Sequence, residues 1–146
     1  MGLFSFGKTE EENGQLSGAN ENFAIISFEP NGIIINANAN FLEALGYNFN
    51  EIAGQHHKMF CDNKYTQTLE YQKFWEKLNI GVFDSGEYLR IGKNDKEIWI
   101  QASYNPIINM DGNPYKAVKY AQDITAKKKI AFAFENTSKK LVKMLE

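Results

Sequence analysis

Two apolar runs near the start of the chain are separated by a turn sequence. Residues 23–28 (FAIISF) and 33–35 (III) flank the polar segment 29–32 (EPNG). Asn-Gly between two runs of β-prone residues is a strong hairpin signal. The pattern predicts an antiparallel pair of strands.

Three short helical segments follow the predicted hairpin. Residues 40–46 (NFLEALG) and 48–54 (NFNEIAG) each end in glycine, and Asn48 is a plausible N-cap with Glu51 three residues on. The third segment covers residues 65–80 and ends before a glycine, so we expect one continuous helix there. Its apolar positions at helical spacing are Leu69, Phe74 and Leu78.

The second half of the chain has the two-residue period of β-strands. Residues 86–91 and 97–107 flank a polar turn, and residues 115–122 follow an Asp-Gly turn. Two strands, short helices and then three strands predict an α+β fold, a five-stranded antiparallel sheet with helices on one face. We expect one side of the long central strand to face those helices, and its residues are Ile98, Ile100, Ala102 and Tyr104.

A final helix is predicted after Thr125. Its apolar positions recur at spacings of four and three, which is an a/d seam typical of a coiled coil. The seam consists of Ile130, Phe134, Thr137, Leu141 and Met144. Because two heptads are short for a coiled coil, an amphipathic helix that folds back on its own sheet is the alternative. The chain stops while the spacing continues, so we expect an output region beyond it.

Composition limits the classes of function. The 146 residues carry 16 basic and 18 acidic side chains, and 43% of them are hydrophobic. This balance indicates one globular domain without a basic face for nucleic acid. The single cysteine, Cys61, excludes an internal disulfide or a CxxC metal site. The start lacks a signal peptide pattern and no apolar run reaches membrane-spanning length, so we expect a cytoplasmic protein with no membrane partner.

Three local sequences resemble the PAS family. Residues 40–54 (NFLEALGYNFNEIAG) are similar to its paired-helix motif F-x-x-x-x-G-Y-x-x-x-E-x-x-G. Residues 99–106 (WIQASYNP) resemble its long central strand, and residues 123–125 (DIT) resemble its Asp-x-Thr junction with a signalling helix. The resemblance implies a PAS fold with an N-terminal lead-in (1–21), a sensor domain (22–125) and the start of a signalling or coiled-coil helix (126–146).

Finer similarity is to PAS domains of soluble bacterial chemoreceptors and biofilm-dispersion regulators. It is carried by GQHHKMFC, EYQKFW and VKYAQDIT, at residues 54–61, 70–75 and 118–125. The resemblance implies a cytoplasmic input domain of a methyl-accepting chemotaxis protein, with the chemotaxis signalling machinery as downstream partner. No Ser-His-Asp order or Gly-rich phosphate loop is visible, so we expect no enzymatic activity and no catalytic residues.

The two histidines are the first candidates for binding chemistry. His56 and His57 are adjacent, so at most one of them faces an interior pocket. In flavin-binding photosensory PAS proteins, the position three residues after Gly54 carries the reactive cysteine, which implies that His57 faces the ligand cavity. A neutral imidazole there could ligate haem iron, and we predict haem with His57 as the metal ligand. The alternatives are FAD, another ligand or no cofactor, with His57 bonded to a backbone group.

Flavin is the weaker alternative because Cys61 lies four residues after the photosensory position. The redox-sensing flavin receptors also carry Arg-His-Pro where this chain has MFC at residues 59–61. Cys61 itself is interpreted as a small core residue. We expect no Cys-His pair at a helical spacing.

The last predictions concern signal transfer. An apolar cavity lined by the inward side of the central strand suits a planar cofactor or small ligand, although an ordinary core looks the same. Trp99 points to the opposite face, where we expect the lead-in or a partner subunit to cover it. Asp123 and Thr125 are expected to cap the signalling helix and couple it to the sheet. The predicted assembly is a homodimer through the sheet face and this helix.

Overall fold

The computed structural model describes residues 10–146, in which one antiparallel sheet carries helices on its inner face. The strands are β1 (Ala24–Phe28), β2 (Ile34–Ala37), β3 (Asp84–Ile91), β4 (Glu97–Ile108) and β5 (Pro114–Asp123). The helices are α1 (Glu10–Asn22), α2 (Ala39–Leu45), α3 (Phe49–Ile52), α4 (Asn63–Thr66), α5 (Leu69–Asn79) and α6 (Thr125–Leu145). The sheet order is β2-β1-β5-β4-β3, which confirms the predicted five-stranded α+β fold. Residues 1–9 of the predicted lead-in lie outside the described range.

The first turn is built around Gly32. Its backbone N–H donates to the carbonyl of Glu29 at 2.8 Å, and its φ is 86°. A Cβ at this position would lie 2.5 Å from Nε2 of His56. Glycine is therefore required both by the left-handed backbone conformation and by the close approach of the imidazole ring.

The paired short helices form as predicted. Asn38 precedes α2, and its side-chain oxygen accepts from the backbone N–H of Phe41 at 3.0 Å. The carboxylate of Glu51 accepts from the backbone N–H of Asn48 at 2.9 Å, so the predicted cap of α3 is confirmed. These caps allow two helices of seven and four residues to form in succession.

The prediction of one helix over residues 65–80 is wrong. The chain forms α4 and then α5, because the hydroxyl of Thr68 accepts from the backbone N–H of Tyr71 at 3.2 Å and starts a new helix. This change of register leaves Leu69 exposed and places Tyr71 in the core beside Phe74. The core therefore contains Tyr71, with its hydroxyl, where the sequence predicted Leu69.

The central strand β4 has the predicted alternation. Its inward residues are at most 5% exposed, and they are Ile98, Ile100, Ala102 and Tyr104. Trp99 points to the outer face, where the ring of Phe132 lies 6.1 Å from it, centroid to centroid. The covering element is therefore α6 of the same chain, and the expectation that only the lead-in or a partner subunit would cover Trp99 is wrong.

Helix α6 leaves its seam exposed. Phe132 and Lys128 face Trp99, whereas Ile130 and Phe134 are 71% and 74% exposed. Leu141 and Met144 are also exposed. The helix therefore packs on the sheet with a face other than the seam, and the seam does not fold back on its own domain. No helix within residues 10–146 is long and apolar enough to cross a bilayer.

Candidate functional site

A 3₁₀ turn, His57–Phe60, sends the two adjacent histidines to different environments. His56 stays half-buried at the N-terminal end of the turn, where its Nδ1 accepts from the backbone N–H of Lys58 at 3.0 Å. The backbone N–H of His57 donates to the carbonyl of Gly32 at 2.9 Å, and its ring is fully buried. His57 is therefore the histidine that faces the interior.

Both ring nitrogens of His57 have a tyrosine partner. Nδ1 lies 2.8 Å from the hydroxyl of Tyr71, and Nε2 lies 3.1 Å from the hydroxyl of Tyr104. The Tyr104 oxygen already accepts two N–H groups from Arg90, so its own proton is directed to Nε2. This network assigns the His57 proton to Nδ1, which donates to Tyr71.

Arg90 brings a positive charge into the same interior. Its Nε and Nη2 donate to the Tyr104 hydroxyl at 3.3 and 3.0 Å, and its Nη1 donates to the Leu89 carbonyl at 3.0 Å. The guanidinium carbon lies 4.8 Å from the ring centroid of Tyr88, a cation–π distance. Arg90 is 3% exposed and forms no ion pair with a residue of the described range.

Lys119 is the second buried basic side chain of the sheet. It lies on the inward face of β5, with Nζ 5.0 Å from the ring centroid of Tyr104 and 5.7 Å from that of Phe41. Among residues 10–146 it has neither a hydrogen bond nor an ion pair through Nζ. Burial, and secondarily the charge of Arg90, holds the pKa of Lys119 well below its usual range. Burial therefore disfavours the charged form of this amine.

The same environment acts on His57. Burial lowers its pKa well below the usual value, and the nearby charges of Arg90 and Lys119 lower it further. The imidazole is consequently neutral at physiological pH, as the tyrosine network also requires. A neutral ring of this kind is the form in which histidine binds metals.

Cys61 lies against His57, contrary to our expectation of no Cys-His pair. Its Sγ is 3.7 Å from Nδ1 of His57, and the four-residue separation of the two residues was the signal that the sequence offered. Burial raises the pKa of the Cys61 thiol. The side chain is therefore a protonated thiol in the core and not an activated nucleophile.

Two spaces adjoin this polar interior. An internal void of about 10 Å³ lies beside Phe41, Phe60 and Lys119 and has room for about one water molecule. An open groove of about 530 Å³ runs along the edge strand β3 and α5. Arg90 lines both spaces and separates the groove from the void.

Haem or a flavin would require this closed interior to open. The donor chemistry of His57 suits iron, but its Nε2 already accepts from Tyr104 and the void beside it holds about one water. Haem would have to displace this hydrogen bond and much of the core. Within residues 10–146, no group of three or more His, Cys, Asp or Glu side chains could hold a metal ion.

The predicted coupling residues meet where β5 passes into α6. The Thr125 hydroxyl accepts from the backbone N–H of Trp99 at 3.0 Å and donates to the Asp123 carboxylate at 2.6 Å. The backbone N–H of Thr125 also donates to Asp123, at 2.9 Å. Thr125 is the first residue of α6, so these bonds join the sheet directly to the helix.

Lys128 completes the contact between helix and sheet. Its Nζ lies 4.7 Å from the ring centroid of Trp99 and forms an ion pair of 2.9 Å with Glu87 on β3. The first two turns of α6 are thereby attached to β3 and β4.

Sequence reasoning located part of this site. It placed His57 and Tyr104 on the inward side, and it joined Asp123 and Thr125 to the helix. It missed Arg90, Lys119 and Tyr71, which the fold brings within reach of the same two rings. Basic residues in a strand are usually exposed, so only alternation with Ala117 and Ala121 pointed to the burial of Lys119.

The comparisons with known proteins agree with this architecture. Residues 21–126 match the PAS domain family. The chain is 40% identical over 111 residues to the biofilm dispersion protein BdlA of Pseudomonas aeruginosa strain PAO1. This match covers 76% of the chain but 27% of BdlA, so the chain spans about a quarter of that relative's length.

Solved structures share the fold. The PAS domain of a protein from Colwellia psychrerythraea is 21% identical, with a TM-score of 0.66 over 78% of this chain and 97% of that one. An RNA-binding Light-Oxygen-Voltage receptor is 18% identical, with a TM-score of 0.71 over 95% of this chain and 40% of that one. At these identities the likeness concerns the fold alone.

Proposed function

Since the chain belongs to the PAS family, we propose that it is the cytoplasmic sensory input domain of a chemotaxis-type transducer. One observation carries this proposal: β4 holds Tyr104 inside the interior on one face and Trp99 against α6 on the other. A change in the interior that moves β4 therefore also moves the residue that bonds Thr125. The domain acts by passing this displacement to α6 and performs no catalysis.

The void offers a second connection to the helix. Asp123 borders it together with Lys119 and Phe41, and Asp123 also accepts the two hydrogen bonds of Thr125. Expansion of the void by a ligand would displace the carboxylate that holds the start of α6. A ligand that prefers the expanded state shifts the population of helix arrangements by its difference in affinity.

The ligand is a small molecule in this proposal. Haem ligated by His57 was the prediction from the sequence, and flavin was the alternative. Both require a much larger opening of the interior than a small molecule does. The absorption spectrum of purified protein checks this directly: we expect no Soret band and no flavin band, even after haem or FAD is added. A Soret band that is lost in His57→Ala would instead support haem.

The exposed seam of α6 supports a homodimer. Ile130, Phe134, Leu141 and Met144 are each more than half exposed at heptad spacing. Two copies of such a helix bury these side chains against one another, while Trp99 remains beneath Phe132. In this proposal the dimer places two sensory domains on one helical pair that signals to the chemotaxis machinery.

A hydrogen-exchange experiment tests the coupling without a known ligand. Tyr104→Phe removes the hydroxyl that accepts from Arg90 and donates to His57, and it leaves α6 untouched. We expect amide exchange over residues 126–132 to change several-fold in this variant. Thr125→Val removes the bond to Trp99. In the double variant Tyr104→Phe/Thr125→Val, the change in exchange that Tyr104→Phe causes should disappear.

The matched control is Thr137→Val, on an exposed part of the same helix, where the hydroxyl bonds only to the Ala133 carbonyl. Combined with Tyr104→Phe, it should leave the response intact. Equal exchange over residues 126–132 in wild type and Tyr104→Phe would contradict the proposed function.

A further inference from the structure

Three basic side chains share the interior without a buried acid. His57, Arg90 and Lys119 are each at most 3% exposed. No buried residue of the described range is an aspartate or glutamate. Burial of a basic group without a counter-ion costs several kcal/mol, so a protein retains such groups mainly where they have a use. Arg90 is therefore a buried charge without an acidic partner among the described residues, and an anion would supply that partner.

The second line of evidence is the position of Arg90. It forms the inner wall of the open groove along β3 and also lines the void that contains Lys119. Arg90 is the one side chain that lines both spaces, whereas Lys119 lines the void alone. The planar fork of arginine pairs with both oxygens of a carboxylate, and displacing the Tyr104 hydroxyl would free two of its N–H groups.

The walls of the void define the rest of the ligand. Apart from Lys119, Arg90 and Asp123 they are apolar, and they include Phe41, Leu45 and Phe60. The carboxylate of Asp123 is engaged by Thr125 and lies four residues along β5 from Lys119. A ligand whose anionic group lies beside Arg90 and Lys119 would therefore have an apolar body that extends toward α2.

We propose that this interior binds a small monocarboxylate with an apolar body, held by Arg90 and Lys119. The proposal rests on the proposed function, because the ligand occupies the interior that is coupled to α6. Binding requires the void to open, and the side chains that must move are those of α2 and the 3₁₀ turn. Asp123 lies on the same void, so opening reaches the start of α6.

Proton uptake is the distinctive consequence. Burial holds the pKa of Lys119 low in the closed interior, and a carboxylate beside the amine favours its charged form. The pKa of Lys119 therefore rises on binding, and one proton is taken up per ligand below its ordinary pKa. The titratable or charged groups that face this amine from the surrounding elements are His57, Cys61, Arg90, Tyr104 and, at the edge of the void, Asp123.

The first experiment compares benzoate with benzamide, which has the same shape without the charge. We expect millimolar benzoate to raise the thermal midpoint of the protein by a few degrees, and benzamide to leave it unchanged. Butyrate and hexanoate, each with its amide, extend the series to other apolar bodies. An equal effect of each acid and its amide, or no effect of any of the three acids, would overturn the proposal.

The second experiment uses Lys119→Met, which keeps the length of the side chain and removes the amine. We expect its affinity for benzoate to fall at least tenfold, while Lys116→Met on the same strand retains the wild-type affinity. Calorimetry in buffers of different ionisation enthalpy should give about one proton taken up by wild type at pH 8. Binding without proton uptake would overturn the role of Lys119.

The two proposals fail in distinguishable ways. If Tyr104→Phe alters exchange in α6 but no carboxylate binds, the coupling stands and the ligand class is wrong. If benzoate binds but exchange over residues 126–132 stays constant with and without it, the site exists and the proposed function is wrong. The comparison of benzoate with benzamide needs only wild-type protein, so it holds even if Lys119→Met does not fold.

Discussion

The two faces of β4 differ in how they are held. The inner face presents Tyr104 to a network in which both ring nitrogens of His57 are bonded and Arg90 donates three hydrogen bonds. The outer face presents Trp99 to a single helix turn, and the ring is only half-buried beneath Phe132 and Lys128. One strand thus combines a tightly constrained surface with a loosely held one.

This difference indicates a division of roles along one strand. The inner face is costly to disturb, so a ligand that disturbs it must supply binding energy. The outer face is held by a few bonds, so a small displacement of β4 is enough to change the contact with α6. A sensor needs both properties, because a rigid receiving side gives specificity and a weakly held output side gives response.

The largest expected effect comes from truncating the inner face. Tyr104→Ala removes a fully buried ring and leaves Arg90 and His57 without their hydroxyl partner, which should lower the free energy of unfolding by about 4 kcal/mol. Trp99→Ala on the outer face is the matched control and should cost about 2 kcal/mol. Urea unfolding measures both, and equal losses would contradict the difference between the faces.

The next effect is a pH dependence specific to the inner face. Because the folded-state pKa of His57 lies below that of the unfolded chain, acid favours the unfolded state. The contribution of neutral His57 to the free energy of unfolding is fully present above about pH 6.5. It falls by about 1.4 kcal/mol per pH unit as the pH drops further. The difference between wild type and His57→Gln should show this slope between about pH 6.5 and pH 5.

His56→Gln is the control for the histidine measurement, since His56 remains half-buried at the surface. Burial also lowers the pKa of His56, but the ring retains access to water. We expect its contribution to the slope to be clearly smaller. A larger slope from His56 than from His57 would reverse the assignment of the interior residue.

Removing the Lys119 amine should have a smaller effect on the free energy of unfolding, and one of opposite sign. Lys119→Met should raise the free energy of unfolding at neutral pH by about 1–2 kcal/mol, because it removes a buried amine that the unfolded chain protonates. The folded-state pKa of Lys119 is depressed, so wild-type stability should rise with pH toward about 10 relative to the variant. A difference in unfolding free energy between wild type and Lys119→Met that stays constant from neutral to alkaline pH would contradict the depressed pKa of Lys119.

The smallest expected effect is on the outer face. Lys128→Met removes an ion pair with Glu87 and a cation–π contact with Trp99, both partly exposed. We expect a loss of about 0.5 kcal/mol and a dependence on salt that disappears in the variant. Lys127→Met, one residue earlier on an exposed position, should change neither quantity.

The sequence predicted what depends on local periodicity. Alternation from Ile98 to Tyr104 placed those residues on one face because side chains of a strand alternate strictly. The capping of α3 by Glu51 could also be predicted from the sequence, because both partners lie within one turn. The break before α5 was not readable, because Thr68 could continue a helix as well as start one.

The sequence by itself determined the order of the strands, the inward set of β4 and the spacing of the apolar seam of α6, all of which follow from short-range spacing. Only the tertiary structure decided the rest. Arg90, Lys119 and His57 come from three separated segments, and the fold brings their side chains together around Tyr104. The inward residues of β5 are also less apolar than its outward neighbours Val118 and Tyr120, so hydrophobicity alone favours the wrong face. The cover on Trp99 comes from a helix that starts 26 residues later, through a bond to Thr125 that no local pattern encodes.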